Sequence, residues 1–167
     1  MNSEQIIRLD GDWQVAPYPA ESDGPPQADG LDWLPAAVPG AVHYDLARAG
    51  RLENPLASRQ AAADAAWVAR SDWLYRRAFR LEAVPDATLR PVLTFDSLDV
   101  FADIWLNGAL LGSSHNAFRP CRLDAPPGLL RQGENTLLVR LKGHERMLAG
   151  VIPDAERIAE GSHSNAH

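Results

Sequence analysis

Cys121 is the only thiol in this 167-residue chain, so no internal disulfide can form and a reducing compartment is the simpler expectation. Nowhere do about 18 apolar residues follow one another, which removes a membrane-spanning helix. The opening MNSEQIIRLDGDW lacks the apolar stretch of a secretory signal, so no export is expected. Basic residues are the minority, 16 Lys and Arg against 22 Asp and Glu, for a net charge of −6. An acidic chain offers no attractive field to nucleic acid or to an anionic bilayer, and neither is expected as a partner. These absences leave a soluble cytoplasmic protein as the default. Its length fits one domain, long enough to bury roughly 70% of its unfolded surface.

What the chain does hold is a succession of short β signals between turn residues. Leu9 to Val15 pairs a turn signal with a β-prone segment. Pro17, Pro19, Gly24, Pro25, Pro26 and Gly30 then predict a long irregular approach. Val38-Pro39-Gly40 is a turn, because proline presets φ and glycine accepts positive φ. Val42, Leu46 and Ala49 share one face of a short helix that Gly50 ends. The alanine-rich run from Arg59 to Arg70 fits a helix of two or three turns or an extended loop equally well.

From Asp72 onward the alternation is strong. Trp73, Tyr75, Arg77, Phe79 and Leu81 fall on one side of an extended strand, and Leu74, Arg76, Ala78 and Arg80 on the other. Arg77 interrupts the apolar side, so that face has a polar edge or the arginine finds a buried partner. Pro91 to Phe95 predicts a strand. Asp99 to Leu106 predicts another, with bulk on both faces (Ile104 and Leu106 against Phe101 and Trp105), as in a central strand covered on each side. Asn107-Gly108 is a two-residue hairpin turn, both residues tolerating positive φ. Ala109 to Gly112 returns, Leu123-Asp124 begins a further strand, Gln132 to Asn135 turns, and Thr136 to Lys142 closes the series. Short antiparallel strands with frequent turns argue for an all-β fold, an antiparallel β-sandwich with one or two short helices. The sandwich is expected over residues 1–145, with an irregular tail over 146–167 in which Pro153 to Glu160 adds one helical turn or two.

Four blocks in fixed order carry a family likeness: LDGDW from Leu9, VPGAVHYDL from Val38, DWLYRRAF from Asp72, and FDSLD…NAFRP from Phe95 to Pro120. From about Leu9 to Lys142 the chain resembles the N-terminal sugar-binding-like domain of family 2 glycoside hydrolases, most closely the β-mannosidases. The resemblance implies a galactose-binding-like jelly roll. It also implies a larger enzyme, in which immunoglobulin-like domains and a (β/α)₈ barrel supply a retaining hydrolase of terminal β-mannosides. That chemistry needs two carboxyl groups roughly 5 Å apart, and the family's acid/base lies in an Asn-Glu dipeptide on a barrel strand. No Asn-Glu dipeptide occurs in this sequence, so no catalytic residue is assigned here. The missing domains and a β-mannoside or related glycoside are the implied partners; no cofactor is implied.

The candidate carbohydrate-binding residues are Asn116, Arg119, Trp73 and Asp72. The likeness places Asn116 where related β-galactosidase-type proteins send a polar side chain toward the sugar, and an amide can both donate to and accept from a hydroxyl. The plainer role for Asn116 is to fix loop geometry, with Arg119 packing or pairing structurally. Asp72, Trp73 and Arg76 fit a sugar platform, an aromatic face flanked by charge, or else Trp73 is core like Trp13 and Trp105. His43 is expected to be a buried histidine satisfied by backbone or an interface contact. Glu134-Asn135 is expected to be a structural turn and Cys121 a small, partly buried thiol. His163 and His167 have helical spacing but no third ligand, so no metal site is expected.

Overall fold

The computed structural model describes residues 6–22, 24–86 and 89–149. Among these, eight strands follow one another: β1 (Gly11–Tyr18), β2 (Leu34–Val38), β3 (Asp72–Leu81), β4 (Val92–Phe95), β5 (Ala102–Leu106), β6 (Ala109–Ser114), β7 (Cys121–Asp124) and β8 (Gly133–Leu141). Three short helices, α1 (Val42–Arg48), α2 (Arg59–Asp64) and α3 (His144–Leu148), and a 3₁₀ turn over Ala66–Arg70 complete the described elements. One sheet has six strands in the order β2-β1-β3-β8-β5-β6, and β4 pairs with β7 in a second. Every pairing is antiparallel.

The inward side chains of the large sheet make the main core. Trp13, Val15, Trp73, Tyr75, Ala102, Ile104, Leu137 and Val139 meet Leu46 of α1 and Val68 of the 3₁₀ turn, with Leu93, Phe95 and Leu123 of the small sheet packed against them. Ile104 and Leu137 are essentially sealed from solvent, each such burial stabilising the fold by about 1.5–3 kcal/mol. At Gly112 a side chain would stand 2.8 Å from a Leu123 methyl, so glycine lets β6 approach β7. The outer face has its own smaller cluster, Tyr18, Leu74, Trp105 and Leu138, covered by Ala28, Leu31 and Trp33. Two packed faces explain why β5 carries bulk on both sides.

The sandwich expectation holds, with local differences. The approach segment contains β2, paired to β1 from Gly11↔Val38 to Val15↔Leu34, and Pro17 lies inside β1. β7 ends at Asp124 instead of beginning near it. β8 starts at Gly133, so Glu134 and Asn135 are strand residues, because β3 runs long enough to pair with them. The alanine-rich run is helical: Ser58 caps α2 by accepting from the Ala61 N–H at 3.0 Å, and the chain then tightens into the 3₁₀ turn. The expected boundary at residue 145 falls within α3. His163, His167 and Pro153 to Glu160 lie outside the described residues.

Candidate functional site

Strand register gathers the candidate residues at one end of the sandwich. Tyr18 pairs with Asp72, Trp73 with Leu141, Leu141 with Ala102, Ala102 with Ser114, and Phe95 with Cys121. The start of β3, the exit of β8 and the loop from β6 to β7 therefore emerge on the same side.

Asp72 sits there fully buried and clamped. Its Oδ2 accepts from Arg140 Nε at 2.9 Å, and its Oδ1 accepts from Arg146 Nη2 at 2.6 Å and from the Gly143 N–H at 2.9 Å. Arg140, itself 5% exposed, also donates to the carbonyls of Ser22 at 2.6 Å and Ala20 at 2.8 Å and lies over the Tyr18 ring. One carboxylate thus ties β3, β8, α3 and the segment after β1 together. Trp73 is 3% exposed, and its indole N–H donates to the Val68 carbonyl at 3.0 Å; its ring belongs to the core and offers no open face. Arg76 stacks on Trp33 at 4.1 Å and donates to Gln14 Oε1. The three neighbours of the suggested platform therefore point to separate partners.

The loop after β6 is open to solvent. Asn116 Oδ1 accepts from the Phe118 N–H at 2.8 Å, and Ser97 Oγ donates to the Ala117 carbonyl at 2.8 Å. These bonds hold the backbone and leave Asn116 and Arg119 exposed and Phe118 96% exposed. The Asn116 amide nitrogen and the Arg119 guanidinium bond to no described residue. No hydrogen bond or ion pair among the described residues joins this loop to Asp72.

Other candidates resolve structurally. Arg77 finds a partner in the Asp12 carbonyl, although its Nε is buried without one. Asn135 is buried and accepts from Asn107 Nδ2 and the Arg131 N–H while donating to the Arg131 carbonyl. His43 is half-buried and its imidazole makes no hydrogen bond with a described residue, so it is not the backbone-satisfied histidine of the first alternative; burial and then the nearby His144 lower its pKa. Cys121 opens β7, half-buried. Among the described residues no group of His, Cys, Asp and Glu is arranged to hold a metal ion, and no helix is long and apolar enough to cross a membrane.

Residues 13–151 match the family described as glycosyl hydrolase 2 galactose-binding domain-like. The chain belongs to that family. Among relatives of the glycosyl hydrolase 2 domain, β-mannosidase B of Aspergillus terreus is 39% identical over 106 residues, 63% of this chain and 12% of the fungal protein. β-Mannosidase B of Thermothelomyces thermophilus is 32% identical over 136 residues, 80% of this chain and 14% of that protein. The solved β-D-mannosidase of Dictyoglomus thermophilum superposes with a TM-score of 0.70 at 28% identity, over 90% of this chain and 17% of its own. The chain thus spans 12–14% of the length of these curated relatives.

Sequence reasoning passed over the partners of Asp72. The signal was present: Arg140 interrupts the apolar run of β8, and Asp72 opens an equally apolar β3. A charge in either place needs an opposite charge across the sheet, and only the register shows that each answers the other.

Proposed function

We propose that this chain is the non-catalytic domain of a β-mannosidase-like family 2 glycoside hydrolase and shapes the rim of its substrate pocket. The observation that carries this reading is the gathering of the clamped Asp72 and the open Asn116–Arg119 loop at one end of the sandwich, in a family member whose relatives are β-mannosidases. Asp72 is the positioning residue, since its bonds hold four segments of the rim. Asn116 and Arg119 reach the sugar, because both side chains are exposed and the Asn116 amide nitrogen and the Arg119 guanidinium bond to no described residue. Trp73 supports the rim from within. The immunoglobulin-like and barrel domains supply the acid and the nucleophile, and the complete protein works in the cytoplasm on terminal β-mannosides.

The test replaces the matching segment of the Dictyoglomus thermophilum β-mannosidase with this chain. The chimera is expected to hydrolyse an aryl β-mannoside, and Asn116→Ala and Arg119→Ala to raise KM about five- to tenfold, as loss of a sugar hydrogen bond requires. The isolated chain is expected to show no turnover. Chimera variants with unchanged KM would remove the rim assignment, and mannobiose heats at sub-millimolar concentration with the isolated chain would favour a free-standing sugar-binding module instead.

A further inference from the structure

An open sheet edge is a template for another strand, and natural proteins guard such edges with proline, bulges, charge or cover. The described strands leave four of them, at β2 and β6 of the large sheet and at β4 and β7 of the small one. Three are guarded. On β2 the Ala37 N–H donates to Asp45 Oδ1, so Ala37 turns its backbone away from β1. Pro35 faces the same way, two residues earlier, and has no donor to offer. On β6 the register with β5 skips Leu111, an extra residue that interrupts the ladder. β7 carries exposed charges at Arg122 and Asp124.

β4 has none of these devices. Its residues, Val92-Leu93-Thr94-Phe95, are uncharged and suited to a strand. The Pro91 carbonyl accepts from the Ala125 N–H at 2.9 Å. Pro91, Leu93 and Phe95 therefore direct their backbone groups to β7, and Val92 and Thr94 direct theirs outward. The donor that proline lacks falls on the paired side, and the open edge is intact. No described residue bonds the outward backbone groups of Val92 or Thr94.

The flanking charges make this edge complementary to itself. Arg90 and Asp96 stand at equal distance on either side of Leu93, both exposed and without an ion-pair partner among the described residues. Let two copies of the strand run antiparallel about a two-fold axis at Leu93. Val92 then meets Thr94 of the second copy, and Arg90 meets its Asp96. Val92 and Thr94 are the residues that face outward, so each such pair exchanges two N–H···O bonds. An axis at Val92 or Thr94 keeps the backbone bonds and loses the ion pairs.

We propose that β4 is a homodimerisation edge, on which a second copy of this chain adds its own β4 antiparallel and joins the two small sheets into one. Both bare edges are consumed in the pairing, so assembly closes at the dimer. Across the axis the two Leu93 side chains meet on the core side, while Val92 packs beside Thr94 on the outer side. The stretch from Arg90 to Asp96 makes a small interface, so a dissociation constant on the order of 50 μM is expected. This pairing uses none of the candidate sugar-binding residues and stands whether or not the rim reading does.

Sedimentation velocity on the full chain is expected to show a monomer–dimer equilibrium centred near that concentration. Arg90→Glu leaves acid at both ends of the strand, and Asp96→Arg leaves base at both. Each variant alone is expected to dimerise about tenfold more weakly, and their equimolar mixture to recover the wild-type affinity as a heterodimer. Both positions are exposed, and a wild-type near-UV circular dichroism spectrum confirms each fold. Amide exchange locates the contact, with Val92 and Thr94 gaining protection as concentration rises. A chain still monomeric at about 500 μM, ten times the expected constant, overturns the proposal. So do folded variants that dimerise as the wild type does or whose mixture fails to recover. Protection of Val92 and Thr94 that is equal at every concentration overturns it too, since the chain's own residues would then cover the edge.

Discussion

Asp72 decides more of this molecule than any other single side chain. A carboxylate with no exposure is costly to bury, and it is tolerated here because two guanidinium groups and a backbone N–H answer it. Asp72→Ala is therefore expected to lose about 3–5 kcal/mol in urea unfolding, chiefly because Arg140 is left buried without a counter-charge. Asp45, on α1, plays a similar part. Fully buried, it accepts from the Ala37 N–H at 3.2 Å and the Tyr75 hydroxyl at 3.3 Å and pairs with Arg48. Burial first, and then the Asp45 charge, push the Tyr75 pKa up, so this hydroxyl stays a donor. Of the Asp72 cluster the sequence shows only charges standing in apolar strands, and of the Asp45 cluster nothing. Asp45 sits in a helical pattern in which Val42, Leu46 and Ala49 mark the apolar face, and nothing local says that its carboxylate turns inward as well.

At the scale of elements, turns and close approaches set the geometry. Asn107 and Gly108 take φ values of 50° and 85°, the left-handed pair that a two-residue hairpin needs. The dipeptide announced this turn without help. What it did not announce is that Asn107 also binds β8: its Oδ1 accepts from the Thr136 N–H at 2.9 Å, and its Nδ2 donates to the Leu129 carbonyl and to Asn135 Oδ1, both at 2.8 Å. Asn107→Ala is expected to cost about 2–3 kcal/mol by thermal unfolding, more than a turn residue alone accounts for, since it loses both the tolerated φ and these bonds. Gly143 has a different reason to be glycine. A side chain there would stand 2.3 Å from the Arg70 carbonyl oxygen, where α3 leaves the sheet and seats on the 3₁₀ turn. Gly143→Ala is expected to cost about 1–3 kcal/mol and to loosen Arg146 from Asp72, read as faster amide exchange in α3.

For the molecule as a whole, His43 links stability to pH. It stands on α1, half-buried, with its pKa held below 6.5 by burial and by His144 at the start of α3. Well above pH 6.5 the histidine is neutral in both folded and unfolded chains and contributes no slope. As pH falls from there, the unfolded chain takes up the proton first, so stability drops until the folded pKa is reached. Melting temperatures of wild type and His43→Gln are expected to diverge below pH 6.5, the variant losing less; parallel curves would mean that His43 titrates freely. The same scale separates this chain from its relatives, which are about five to six times as long.

Alternation of side chains along β3, β5 and β8, the Asn107-Gly108 turn and the ordered sequence blocks were enough to specify a two-layered antiparallel fold and its family, because period, turn chemistry and composition are local properties. The partners of Asp72, the separation of Trp73 from Arg76, the strand placement of Glu134-Asn135 and the open edge of β4 depend on register between strands distant in the chain. Local residues do not encode that register one by one. It emerges when two faces of a sheet must both be buried and every charge inside must be answered, and only the folded arrangement meets both conditions at once.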